Sequence, residues 1–375
     1  MSTTTESTLS FKLQCSKLLD GLKQVSGVIE NAQVMQILSC VKFTLSPGRF
    51  MLVASDSDIQ ITCEVEDDLL NLDASVSFAV PGKKLFEICR SLPNGETLTF
   101  KLAGDWLQVS TSNTKFKLVT MSAEDFPIHD FKPDHILSLQ STVFSRALTY
   151  TSFAMAVHDV RQFLNGLLLD IQSDSLRFVS TDGHRLALYE VDNISTNFSG
   201  RFIMPRKAVN ELVKLIRYGS DSFNVELSEK MIRVESGGFA LTTTLIKGQY
   251  PDYTRLLPKE SQNAALVPVA PLKSALMRAA ILSQERFKAV RLNFEAATLN
   301  LYAENSQREQ VHEKVDLDQS ASSGDIAFNL NYLLDVLNVL ESLSVSVSYG
   351  TPKQAVVLKP TDVESVLFII MPLTL

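Results

Sequence analysis

One local plan recurs three times in this 375-residue chain, and that recurrence limits the available folds more than any single motif does. Gly82, Arg206 and Leu330 each head a short helical pattern, at intervals of 124 residues. Around each head the apolar pattern runs strand, helix, hairpin, strand, helix, then three strands. Solenoid repeats recur every ~20–50 residues, so this interval is a whole domain and the pattern predicts a triplicated domain. Strands dominate and each unit has two helices. The expected class is therefore α+β, with antiparallel sheets carrying helices on one side.

The first unit illustrates the pattern. Phe11-Lys12-Leu13 starts a strand, Ser16 to Val28 reads as a helix, and Val41–Leu45 with Phe50–Ala54 form a hairpin about Ser46-Pro47-Gly48. Ile59, Ile61, Cys63 and Val65 share one face of the next strand. In the third unit, Val290–Phe294, Thr298–Ala303, Gln310–Val315 and Ile326–Asn329 read as four separate strands. Residues 1–10, MSTTTESTLS, read as a disordered extension. The domains are expected over 11–128, 137–256 and 264–375. Proline and charge mark Glu124-Asp125-Phe126-Pro127 through Asp134 as a linker, which Gln249-Tyr250-Pro251-Asp252-Tyr253 echoes.

The middle helix, Met204 to Gly219, has two faces. At about 100° per residue, Ala208, Val209, Leu212, Val213, Leu215 and Ile216 share an apolar arc. Arg206, Lys207, Asn210, Lys214 and Arg217 share the opposite arc, with Glu211 at its edge. The whole chain carries a net charge of -7, yet the six expected helices hold twelve Lys or Arg against six Asp or Glu. Ordinary solubilising charge would explain this. So would a helix-lined surface facing a polyanion, with sequence-independent, salt-sensitive phosphate contact. The last helix, with Asp335 and Glu341 and no basic residue, departs from the trend.

Other classes are disfavoured. There is no apolar N-terminal run for a signal peptide and no stretch suited to a membrane span. Cys15, Cys40, Cys63 and Cys89 sit in the first quarter without a close CxxC pair, as expected of reduced, buried thiols in a cytoplasmic protein. No GxGxxG, Walker or HExxH sequence suggests a cofactor. Asp182 and His184 would suit a metal or acid–base pair, but no third ligand or nucleophile lies at suitable spacing. Asp182-Gly183 reads more simply as a turn. No cofactor, metal or catalytic residue is expected.

Several stretches together carry a family resemblance: VPGKKLFEICRSLPNG from Val80, MSAEDFP from Met121, DVRQFLNG from Asp159, VSTDGHRLAL from Val179 and MPRKAVNEL from Met204. GQYPDYTRLLP from Gly248, AAILSQERFKAVRL from Ala279, FNLNYLLDVLNVL from Phe328 and IIMPLTL from Ile369 complete the set. The chain resembles the beta subunit of bacterial DNA polymerase III, the sliding clamps, from about residue 11 to the end. The resemblance implies a non-catalytic processivity factor: a head-to-tail homodimeric ring of clamp domains that encircles double-stranded DNA, sheets outside and helices lining the hole. Its partners would be the polymerase alpha subunit, the clamp loader and other proteins bearing a clamp-binding motif, with no membrane.

The resemblance also implies residue roles. A pocket for short linear motifs would comprise Leu164, Thr181, Gly183, His184, Arg185, Leu186, Pro251, Arg255, Leu256, Phe287, Ile369, Ile370, Met371, Pro372, Leu373, Thr374 and Leu375. Such a site needs apolar walls for a partner's leucine or phenylalanine and a few polar groups to orient its backbone. Lys83, Arg90, His158, Gln162, Arg206 and Lys207 would face DNA. Phe116 and Leu118 would meet Ile281 and Leu282 of a second copy, with Lys84 and Lys115 near acids such as Glu304 or Glu309. Four places depart from the family. Leu373-Thr374 stands for Met-Arg near the terminus, and Gln162-Phe163 for a Tyr-Tyr pair. Val157-His158 stands for His-Gln, and Ala32–Gln36 lacks the usual arginine and prolines. Competing readings are a protein-interaction scaffold that does not enclose DNA, and a hydrolase using Asp182 and His184.

Overall fold

The computed structural model describes residues 9–29, 35–72, 75–93, 95–192, 194–257, 263–282, 289–351 and 354–374. Residues 1–8 of the expected extension, and Ala32 to Val34, lie outside them. The first repeat comprises β1 (Leu9–Gln14), α1 (Cys15–Val25), β2 (Cys40–Ser46), β3 (Arg49–Ser55), β4 (Ile59–Glu64), β5 (Val76–Pro81), α2 (Gly82–Ser91), β6 (Thr97–Ala103), β7 (Trp106–Ser110), β8 (Lys115–Val119) and the short β9 (Met121–Ser122). The second comprises β10 (His135–Gln140), α3 (Ser141–Thr151), β11 (Gly166–Ile171), β12 (Ser175–Thr181), β13 (Arg185–Asp192), β14 (Gly200–Pro205), α4 (Arg206–Leu215), β15 (Ser222–Leu227), β16 (Met231–Ser236) and β17 (Phe239–Thr244). The third comprises β18 (Asn263–Pro268), α5 (Val269–Leu282), β19 (Ala289–Glu304), β20 (Gln310–Asn329), α6 (Leu330–Val339), β21 (Ser344–Tyr349), β22 (Val356–Pro360) and β23 (Val366–Ile370). The α+β plan of antiparallel sheets and helices holds in all three repeats.

The chain divides into two compact units, residues 1–142 with 210–245, and 143–209 with 246–375. In the first unit, β1-β6-β7-β8 form one sheet and β10-β15-β16-β17-β4-β3-β2-β5-β9 another. Strands β17 and β4 make a joint between repeats, from Phe239↔Cys63 to Thr243↔Ile59. Apolar residues four apart anchor the first repeat's helices: Leu18 and Leu22 on α1, Leu85 and Cys89 on α2, all buried. All four cysteines are free and buried. In the second unit, β14-β11-β12-β13-β23-β22-β21-β18 form one sheet and β19-β20 a ribbon. Here β13 and β23 repeat the joint, from Arg185↔Ile370 to Tyr189↔Val366. No helix among the described residues is long and apolar enough to cross a membrane.

Three expectations need correction. Leu9 and Ser10, assigned to the extension, are the start of β1 and pair with Leu102 and Lys101. The four strands expected in the third unit are two long ones. Phe294 faces Gly324, Ala296 faces Ala321 and Thr298 faces Asp316, so bulges carry the ladder across stretches where apolar alternation lapses. In the basic helix, Val213 is 43% exposed whereas Glu211 is buried. The Glu211 carboxylate fills the place beside Gly27: a Cβ there would lie 1.8 Å from its oxygen. Lys214 pairs with that carboxylate at 2.7 Å. A helical wheel places Glu211 at the polar edge but cannot register a glycine distant in sequence that makes room for it.

The segment after β17 is laid on the second unit's sheet by two tyrosines. Tyr250 and Tyr253 are buried in a cluster with Leu168, Val179, Leu186, Leu188, Ile203, Val357, Leu367 and Ile369. The Tyr253 hydroxyl donates to buried Asp170 at 2.8 Å, and Arg201 pairs with the same oxygen at 3.1 Å. Burial, then the Asp170 carboxylate, raise the Tyr253 pKa from its ordinary 10.0 to about 12.

Two consequences are measurable. Gly237, between β16 and β17, has φ +56, and a Cβ there would lie 2.2 Å from the Tyr218 carbonyl oxygen. Gly237→Ala is expected to cost about 2–4 kcal/mol, read as a lower urea midpoint. Folding raises the Tyr253 pKa, so its contribution is intact below the ordinary value and is lost as pH rises through the folded value. The melting-temperature gap between the native protein and Tyr253→Phe should therefore narrow between about pH 10 and pH 12.

Candidate functional site

The second joint brings two of the singled-out stretches together in register. Leu186 faces Ile369 and Arg185 faces Ile370. All three apolar side chains are buried; Leu186 and Ile369 share one face and form the floor of a surface, whereas Ile370, beside Arg185, lies on the opposite face of the sheet. The turn feeding β13 explains the residues before them. Asp182 accepts from the backbone N–H groups of His184 (2.9 Å) and Arg185 (3.0 Å). Thr181 Oγ1 accepts from Gly183 N–H at 3.0 Å and donates to Arg185 O at 2.6 Å. Gly183 takes φ +91, which its lack of a Cβ permits. Asp182 is thus a turn acceptor, and among the described residues no group of three or more His, Cys, Asp or Glu is placed to hold a metal ion.

Arg185 is an internal strut. Its guanidinium donates to Asp182 (3.1 Å), Asp335 (2.5 Å) and Phe153 O (3.0 Å), and lies over the Phe153 and Tyr332 rings at 5.2 and 4.6 Å. The His184 ring stacks on Tyr332 with centroids 6.3 Å apart. Asp335, an acid that broke the basic trend of the helices, is thereby committed to Arg185.

The C-terminal stretch is docked. Met371 N–H donates to His184 O at 2.8 Å and Leu373 N–H to Ala327 O at 2.7 Å. Met371 and Leu373 each remain 38% exposed, and Leu256 46%. Pro251 and Thr374 are exposed and Pro372 is half-buried. Arg255 is held by Asp252 at 2.9 Å and stays exposed. Leu164 is buried, its carbonyl accepting from Ala156 N–H, while its neighbour Phe163 packs on the tyrosine cluster. Phe287 and Leu375 lie outside the described residues. The result is an apolar floor flanked by exposed leucine, methionine and proline with polar turn groups nearby. Tyr250, Tyr253 and Asp170, which hold one flank down, escaped the sequence reading. The aromatic echo of Phe126-Pro127 in Tyr250-Pro251 was the available signal.

The cationic candidates differ among themselves. Lys83, Lys84, Arg90 and Lys207 are exposed on α2 and α4, with Arg90 paired to Glu87 at 2.5 Å. Gln162 is exposed, and so is His158, which has φ +55 at a loop apex. Arg206 is different: it turns inward, donating to Met155 O (2.5 Å) and Ala156 O (3.3 Å). Burial, then the neighbouring Arg185 charge, lower its pKa. Arg161, Arg185 and Arg206, with Phe153, Met155 and Tyr332, line a cavity of about 260 Å³. Of the residues expected at a joint between copies, Ile281 is 67% exposed, Phe116 and Leu282 are half-buried, and Leu118 is buried within its own chain.

Comparisons with known proteins agree along the chain. Residues 9–130, 138–252 and 254–374 match the N-terminal, central and C-terminal domains of the DNA polymerase III beta subunit. The chain is 33% identical to the beta sliding clamp of Pseudomonas putida over 369 residues, covering 98% of this chain and 100% of the relative. It is 33% identical to that of Escherichia coli over 368 residues, with the same coverage. The sliding clamp of Pseudomonas aeruginosa, solved bound to griselimycin, superposes with a TM-score of 0.92 at 31% identity, covering 98% of this chain and 99% of that one. The Caulobacter crescentus beta sliding clamp gives 0.92 at 27% identity, covering 99% and 100%. With every repeat matched and the antiparallel joints in place, the chain belongs to the DNA polymerase III beta subunit family, the beta sliding clamps.

Proposed function

We propose that two copies of this chain close head to tail into a ring around duplex DNA and hold partner proteins at the apolar groove of the second joint. As a member of its family the chain is a processivity clamp for DNA polymerase and not an enzyme. One observation carries the ring. The joint β4–β17 and the joint β13–β23 are the same pairing made twice. The third equivalents are β8, at the edge of its sheet, and Gln310–Asp316 of β20, bonded on one side to β19. Each edge presents unpaired backbone donors and acceptors, and a second copy supplies the complement of both. Domain boundaries at 11–128, 137–256 and 264–375 fit this scheme, with Leu9 and Ser10 added to the first.

Phe116 with Ile281 and Leu282 would fill the apolar part of that contact. Leu118, already buried, would shape the strand without adding much area. Lys84 and Lys115 would face acids of the other copy at the rim. Lys83, Arg90 and Lys207, with His158 and Gln162, would meet phosphates without reading sequence. Arg206 would act at one remove by fixing the backbone at Met155 and Ala156. At the groove, the exposed Leu256, Met371 and Leu373 would receive a partner's leucine or phenylalanine, from the polymerase alpha subunit, the clamp loader or another motif-bearing protein. Replication places such a protein in the cytoplasm. A monomeric scaffold would use the same groove but would leave both strand edges bare.

Enclosure is tested by retention on circular DNA before and after linearisation. The protein should stay on circles and leave once ends exist. Equal loss from both would sink the ring. Phe116→Asp or Ile281→Asp should give monomers by sedimentation at micromolar concentration while peptide binding persists. Leu256→Ala combined with Met371→Ala should weaken a Leu/Phe-anchored peptide about tenfold, roughly 1.4 kcal/mol, measured by calorimetry.

A further inference from the structure

The two joints are superimposable in register, and this permits a position-by-position comparison of what they display. In the second, Thr181 faces Leu186, Leu186 faces Ile369, and Ile369 faces Val357. In the first, Ser55 faces Gln60, Gln60 faces Thr242, and Thr242 faces Arg233. Two residues along, Val179 faces Leu188, as Val53 faces Thr62. The covering segments also correspond: Phe126 is buried in its own apolar cluster, as Tyr250 is in the other. The construction is therefore the same, yet the floor is inverted. Leu186, Leu188, Val357 and Ile369 on one side become Gln60, Thr62, Arg233 and Thr242 on the other.

The first joint still has a cleft. It measures about 370 Å³ and is lined by those four polar residues together with Ile128, His129, Asp130 and Phe131. Gln60 is buried and accepts from the His129 N–H at 3.0 Å. Arg233 pairs with Glu235 at 2.9 Å, while its Nε is buried without a hydrogen-bond partner. A leucine or phenylalanine entering this cleft would meet an amide, hydroxyls and a guanidinium whose Nε already lacks a partner, and would return no hydrogen bond to them.

We propose that Gln60, Thr62, Arg233 and Thr242 are specificity-determining residues that bar apolar anchors from the first joint and restrict each chain to one motif groove. The proposal rests on the groove reading given above. Hydrogen-bonding capacity at four equivalent floor positions separates the two joints.

The test is binding stoichiometry. A short synthetic peptide with leucine and phenylalanine anchors is titrated calorimetrically into the full-length protein and into the variant Q60L/T62L/R233V/T242I. The expected result is one peptide per chain for the native protein and two for the variant. One per chain in a folded variant, or two in the native protein, overturns the proposal. No binding to the native protein with one peptide on the variant removes the groove reading while sustaining the determinants. No binding to either removes both. If the fourfold variant does not fold, Q60L/T242V, which changes side-chain volume little, should still show a second, weaker site, and its absence overturns the proposal.

Discussion

Main-chain hydrogen bonding between repeats is the interaction on which the rest depends. At β4–β17 and at β13–β23, an antiparallel ladder carries a sheet from one repeat into the next. A ladder fixes register because a slip of one residue would turn every side chain to the opposite face. That fixed register sets Leu186 against Ile369 and brings the C-terminal stretch beside the His184 turn, where Met371 and Leu373 add their own main-chain bonds. The groove floor is a by-product of the joint.

Much of this was legible in the sequence, because the signals were local. Alternating Ile59, Ile61 and Cys63 specified β4, and Ser46-Pro47-Gly48 specified its hairpin neighbour, with Gly48 at φ +72. The triplication followed from spacing alone. What stayed hidden depends on partners distant in the chain. The Glu211 carboxylate requires the bare Cα of Gly27. Asp335 reads as a stray acid until Arg185, 150 residues earlier, meets it. The long ribbon β19–β20 is held by pairing across stretches that have no strand pattern of their own. The candidate site divided in the same way: its floor residues came from the family resemblance of local stretches, whereas Tyr253–Asp170, which holds a flank in place, joins residues 83 apart.

Charge also proved more local than a helix-by-helix tally suggests. Arg90 and Lys214 are each shared with a glutamate three residues away. Arg206 and Arg185 are turned inward on carbonyls and carboxylates. The exposed pair Arg90–Glu87 contributes little stability and rearranges readily, whereas the buried Glu211 and the inward Arg185 are fixed. The positive charge that the helices leave free is therefore smaller than a count of their residues.

The joints have an evolutionary consequence as well. A main-chain ladder asks almost nothing of side-chain identity, so the surface above it is free to change while the joint stays the same. Relatives only 27–31% identical still superpose with TM-scores of 0.92. Within this one chain, two joints with the same pairing carry an apolar floor and a polar floor. Triplication thus supplied spare copies of a surface, on which recognition could be rewritten without endangering the scaffold.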